Sequence, residues 1–194
     1  IQFLRYVGEV GIAAYGIMMY VGYCFVAILQ GYNIGISPIV SYHYGAQNHE
    51  ELKNCTNKSM IIISASCVLM FILGEVLALP IALLFSQGDQ GLIDLTAYSM
   101  RIYSICFLFC GMSMFLSSFF TALNNGVVSA LISGLRLIVF QFTAIIIFPL
   151  IFGGDGVWWS LSIAEGLAII SSLIFFFCYK KKYHYEGKKK RRST

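Results

Sequence analysis

The chain has 194 residues and a formal net charge of +4; 58% of it is apolar, 15% aromatic and only 11% charged. A soluble domain is near half apolar and a quarter charged, so this balance excludes an ordinary water-soluble globule and predicts an all-α integral membrane protein. The positive charge is no sign of nucleic-acid binding. Eight of the thirteen Lys and Arg residues fall in the terminal stretch YKKKYHYEGKKKRRST, directly after an apolar run, where membrane topology and anionic lipid account for them.

Residues 1–10, IQFLRYVGEV, begin without Met and read as the end of an earlier helix and an outer loop, so a fragment of a longer protein is expected. Five stretches follow that could each cross a hydrocarbon layer of about 30 Å, which takes about 20 helical residues. They are 11–40, 59–85, 96–123, 128–152 and 156–179, and together 11–179 form one partial transmembrane lobe. No alternating pattern calls for strands. The tail at 180–194 is expected on the cytoplasmic side of a cell membrane, with the chain passing through several times. The connection carrying Lys53 and Lys58 then shares that side. The connection FSQGDQGLIDL, with Asp89 and Asp94 and no Lys or Arg, faces outward.

The first span contains Gly31 and Gly35 on one helix face, where small residues let another helix approach closely. Pro38 removes a backbone donor and crowds the preceding turn. Two readings stay open for this flexible stretch, a purely structural kink or a helix that bends beside a solute cavity. Gln30 and Asn33 in the same stretch, and Gln141 further on, have the polarity to line such a cavity.

Ionisable residues inside spans are costly and need explanation. Glu165 lies about 13 Å from the outer end of its span and Arg136 about 12 Å from the inner end of the preceding one, at 1.5 Å per residue. The two spans are joined by a short turn, so a Glu165–Arg136 pair is geometrically reasonable. Paired, both are structural charges; unpaired, Glu165 exchanges a proton or binds a cation. Glu75 and Arg101 form a weaker candidate pair, since arginine can snorkel outward instead. Cys106 and Cys110, four apart, read as packing residues rather than metal ligands. No HExxH cluster and no nucleophile beside a base is present, so no enzyme, cofactor or metal site is expected.

The segments AAYGI, QGYNIGISPIVSYHYGAQN, SSFFTALNNG, SGLRLIVF and DGVWWSLSIAEGLA occur in the order found in the second half of transporters of the multidrug and toxic compound extrusion (MATE) family, which the chain resembles from Glu9 to about Tyr179. The resemblance implies that the five spans are helices eight to twelve of a twelve-helix fold. It also implies the C-terminal lobe of a multidrug efflux antiporter that exports organic cations and other lipophilic drugs. The transported coupling ion would be a proton or sodium, and an N-terminal lobe would be supplied in the same chain or by a partner. In the sodium-coupled branch an acid on helix ten helps hold the cation, but 96–123 contains no Asp or Glu, and Thr121 stands where the family favours Gln. Glu165 is therefore the expected coupling residue in this half. The alternatives are a flippase for lipid-linked sugars in the wider superfamily, or a scaffold that transports nothing.

Overall fold

The computed structural model describes residues 8–86 and 88–183, and its regular structure is helical throughout. The expected start of the chain at 1–7 and the tail from 184 onward lie outside the described residues. Helix α1 is Gly8–Gly45, α2 is His49–Phe85 and α3 is Gln90–Ala122. After these come α4, Gly126–Gly134, a π-helical segment at Leu135–Gln141, and α5, Phe142–Tyr183.

Among the described residues, four helices are long and apolar enough to cross a membrane: Gly8–Gly45, His49–Phe85, Gln90–Ala122 and Gly126–Lys180. Hydropathy alone leads one to expect five separate helices; here the last two are joined. The sequence FGGDG forms no open loop. Gly153 alone leaves helical geometry, at φ 61° and ψ −137°, and helix continues on both sides of it. Such a φ is close to cost-free for glycine and unfavourable for residues with a Cβ. Arithmetic shows that the chain reverses here. Run straight, the 29 residues between Arg136 and Glu165 would separate them by about 43 Å. Their side chains in fact meet at 2.8 Å. Gly156 seals the reversal, since a Cβ there would overlap the Phe148 carbonyl.

The connections are short and capped. Asn48, Asp89 and Asn125 each accept a backbone N–H from the first turn of the following helix, satisfying donors that helix starts leave open. Asn124, at φ 58°, makes the left-handed step between α3 and α4, a conformation asparagine tolerates better than most residues.

Helix α1 buries Gly11, Ala14, Met18, Gly22, Leu29, Asn33 and Val40, and α2 buries a stripe from Leu52 to Ala82 at spacings of three and four. These are single faces of a 3.6-residue helix. The opposite faces expose Tyr20, Ile28, Ile61, Leu69 and Val76, as expected of helices in lipid. Helix α3 differs. In its most apolar window 61% of the residues are buried, against 22% or less in the other three spanning helices. It is the central post against which α1, α2 and α5 pack.

Lipid chains are as apolar as leucine, so burial by itself holds these helices together only weakly, and close packing has to do it. Three glycines provide the close approaches. A Cβ on Gly22 would meet the Tyr103 ring, one on Gly74 the Ser104 Cβ, and one on Gly111 the Cys67 thiol and Leu29. Phe107 fills the remaining space beside them, edge-on to Phe25 at 5.0 Å and to Tyr103 at 5.1 Å. Such aromatic pairs contribute about 0.5–1.5 kcal/mol each beyond their area.

The glycines singled out from sequence, Gly31 and Gly35, are not the ones used. Both are exposed, with open space where a Cβ would stand, and α1 runs past an exposed Pro38 as one continuous helix. The face that carries the core stripe, set by Gly22, Leu29 and Asn33, turns them away from the other helices of this chain.

Alanine substitutions test this division. Gly156→Ala should lower thermal stability in detergent by about 1–3 kcal/mol, because the obstructing atoms are backbone and cannot yield. Gly35→Ala should be neutral or stabilise by up to about 1 kcal/mol through helix propensity.

Candidate functional site

Arg136 is the second residue of the π segment, and Glu165 lies on the second limb of α5. The Arg136 Nε–H sits astride the carboxylate, 2.8 Å from Oε1 and 2.9 Å from Oε2. The Glu165 side chain is 3% exposed and that of Arg136 18%. A carboxylate so deeply enclosed keeps its charge only with a cation beside it, so the two residues form one electrostatic unit. A π segment closes i→i+5 hydrogen bonds, and in long helices such irregularities occur frequently at functional sites. This one carries the cation of the pair.

The second pair considered from sequence does not form. Glu75 Oε1 instead accepts a hydrogen bond from the Ser104 hydroxyl, which also lies 2.6 Å from the Arg101 carbonyl. The cause is local. Gly74 brings α2 against α3 at Ser104, so the hydroxyl is the nearest donor, and the Arg101 side chain stays exposed.

Next to Arg136 a cavity of about 270 Å³ opens between α1, α3 and α4. Gln30 comes from α1; Ser113, Ser117, Ser118 and Thr121 from α3; Ser133 and Arg136 complete the polar wall. The hydroxyls are linked. Thr121 donates to Ser129 at 2.7 Å, Ser129 lies 3.0 Å from Ser117, and Ser117 lies 2.7 Å from Ser133. Ser113 pairs with Ser172 of α5 at 3.2 Å.

Of the residues expected to line a cavity, Gln30 does so. Asn33 and Gln141 are not part of this wall. Gln141 ends the π segment, half-buried. Asn33 is fully buried in the α1 core stripe, and neither its Nδ2 nor its Oδ1 has a hydrogen-bond partner. Sequence reading passed over the hydroxyl wall, although a signal exists. Ser113, Ser117 and Thr121 recur every four residues on α3, and Ser129 and Ser133 do so on α4. Two such stripes become a cavity wall only when their helices face each other, which neither stripe states alone.

Residues 1–150 match the sequence profile of the MatE family. The chain is 23% identical over 183 residues to the multidrug export protein MepA of Staphylococcus aureus (strain bovine RF122 / ET3-1), covering 93% of this chain and 39% of that protein. MepA of strain N315 is 24% identical over the same length. A solved structure of a MATE protein in complex with MaL6 superposes with a TM-score of 0.87 at 18% identity, covering 94% of this chain and 41% of that one. An inward-facing multidrug resistance MATE transporter of the MOP superfamily also gives 0.87 at 18% identity, covering 96% and 43%. The chain thus spans about two-fifths of the length of these relatives.

Two stability experiments follow. Arg136→Gln leaves a buried carboxylate alone and should cost about 3–5 kcal/mol. Glu165→Gln should cost less, because Arg136 retains some exposure, and the double variant should recover most of the loss. Melting temperatures in detergent read all three. Asn33→Leu removes two unsatisfied polar atoms, each worth about 1–3 kcal/mol when stranded, and should leave melting unchanged or raise it.

Proposed function

This chain belongs to the MatE family, and on that basis we propose that it forms the second lobe of a cation-coupled multidrug efflux antiporter, working with a first lobe of similar size. The observation that carries the reading is the enclosed Arg136–Glu165 pair placed against a hydroxyl-lined cavity. Lipid-facing helices have no need of a buried charge pair, whereas transporters hold such groups at solute and ion pathways. The reversal at Gly153 supports reading the last long helix as two crossings, and the five passes of this proposal as helices eight to twelve of a twelve-helix fold. The basic tail supports a cytoplasmic C-terminus and, with it, a cytoplasmic Gly45–His49 turn.

In this reading the coupling cation, proton or sodium, competes with Arg136 for Glu165. When the cation arrives, the guanidinium is released and the tie between the π segment and the second limb of α5 loosens. Lobe closure around drug and lobe closure around cation then draw on the same contact. Each ligand shifts the population of conformers only by its own preference between them. Organic cations and other lipophilic drugs would occupy the space between the lobes, where aromatic and methionine side chains offer cation–π and sulfur contacts.

The test is drug efflux by the full-length protein that carries this chain. Glu165→Gln should reduce cation-gradient-driven efflux, normalised to the amount of protein in the membrane, by roughly five- to a hundred-fold, the usual span of coupling energies. Efflux at the normal rate with its pH and sodium dependence intact would remove Glu165 from the coupling path.

A further inference from the structure

The cavity beside Arg136 has more hydrogen-bond donors than the protein uses. A guanidinium carries five N–H groups in a planar fork. Only the Nε–H of Arg136 has a partner among the described residues, namely Glu165, and the two terminal amino groups make no hydrogen bond. The hydroxyl chain adds another donor at the same place. Thr121 donates to Ser129 or to the Ser117 carbonyl, and the single Ser117 hydrogen has the Ser129 carbonyl, Ser129 and Ser133 as alternative acceptors. In the arrangement where Ser117 donates to Ser133, the Ser133 hydrogen is free to turn to a ligand, three residues from Arg136 and on the same wall. The Ser118 hydroxyl and the Gln30 amide line the cavity too, and neither makes a side-chain hydrogen bond among the described residues. The wall contains no Asp or Glu; Glu165 lies behind the guanidinium, outside the lining.

A concave site with an arginine fork, converging hydroxyls and no carboxylate in its wall is complementary to one chemistry. We propose that this cavity binds an oxyanion, the carboxylate or phosphate group of a small solute, held in a two-pronged contact by the Arg136 terminal amino groups and capped by Ser133. Planar guanidinium matches both groups geometrically, which an ammonium does not. The volume of about 270 Å³ admits such a group with a small ring or chain attached. Glu165 cancels most of the net charge of Arg136, so the attraction comes from aligned donors rather than from a free cation, and binding is weak and readily reversible. A transport pathway requires that reversibility. The inference rests on the reading of this cavity as part of that pathway only for its role in export; the binding itself stands apart from it.

The two readings place opposite demands on Glu165. A cation site loses its ligand when Glu165 becomes neutral. An oxyanion site gains, because the carboxylate that repels the ligand and occupies Arg136 has lost its charge. The purified full-length protein is titrated at constant ionic strength with inorganic phosphate, followed by phosphorus line broadening, and with benzoate, followed by saturation transfer. The two probes separate a phosphate-bearing from a carboxylate-bearing ligand. Wild type should bind at least one, and Glu165→Gln should bind it several-fold more tightly. Arg136→Lys keeps the charge opposite Glu165 but loses the fork, and should weaken binding roughly tenfold. Ser133→Ala leaves the ion pair untouched and should weaken it about threefold. Binding of neither probe by wild type, equal affinity in Arg136→Lys, or weaker binding in Glu165→Gln would overturn the proposal. If binding fails while efflux still depends on Glu165, the oxyanion site is refuted and the coupling role survives.

Discussion

Two hydrogen bonds from one nitrogen, Arg136 Nε to the two oxygens of Glu165, hold together limbs of the chain that would otherwise diverge from a single hinge residue. The bilayer makes this contact decisive. In water each charge would find solvent, and the pair would contribute little to stability. In a hydrocarbon surround neither can leave the other without a large cost, so the position of the π segment, the depth of the second limb of α5 and the shape of the adjacent cavity all follow from one ion pair. The cavity wall is built on the same residues. Ser133 of the lining precedes Arg136 by three residues on one continuous helix, and Ser172, which pairs with the lining residue Ser113, follows Glu165 two turns later.

Around this unit the remaining helices are arranged by space rather than by affinity. Helix α3 takes α1 and α2 against its sides because Gly22, Gly74 and Gly111 remove the methyl groups that would hold them apart. Backbone carbonyls of α3 accept hydrogen bonds from its neighbours. Ser162 donates to the Ile102 carbonyl at 2.9 Å, and Ser41 to the Ala122 carbonyl at 2.9 Å, so hydroxyls stitch α5 and α1 to the post. A helix surrounded in this way is the natural place for one wall of a solute cavity, since it touches every neighbour.

Much of this was legible in the sequence, for definite reasons. Hydropathy locates segments that lipid must surround, and lipid tolerates few alternatives, so the long helices could be read directly. The Arg136–Glu165 contact was legible because two charges at matching depth on consecutive crossings have little choice of partner. Glu75 and Arg101 show where that logic stops. Depth and sign alone do not reveal that Gly74 admits Ser104 first. Gly31 and Gly35 show it again. A glycine pair four apart marks a narrow face, but which face meets a neighbour depends on the rest of the helix, and here Gly22, Leu29 and Asn33 settle it. Residues 153–155 read from sequence as a break between two spans; the structure has instead one long helix with a single positive φ at Gly153 and helix intact on both sides.

The reversal at Gly153 also has a mechanical meaning. A rod joined to its neighbour by a long loop can slide, tilt or roll independently of it. Here the link is one residue long, and Gly156 is seated against the Phe148 backbone immediately beyond it. The two limbs are riveted a second time, well down their length, at Arg136 and Glu165. Two bars fixed at two separated points are a plate. Force applied to either limb is carried to the other without slack, so the pair swings as one panel for as long as the lower rivet holds.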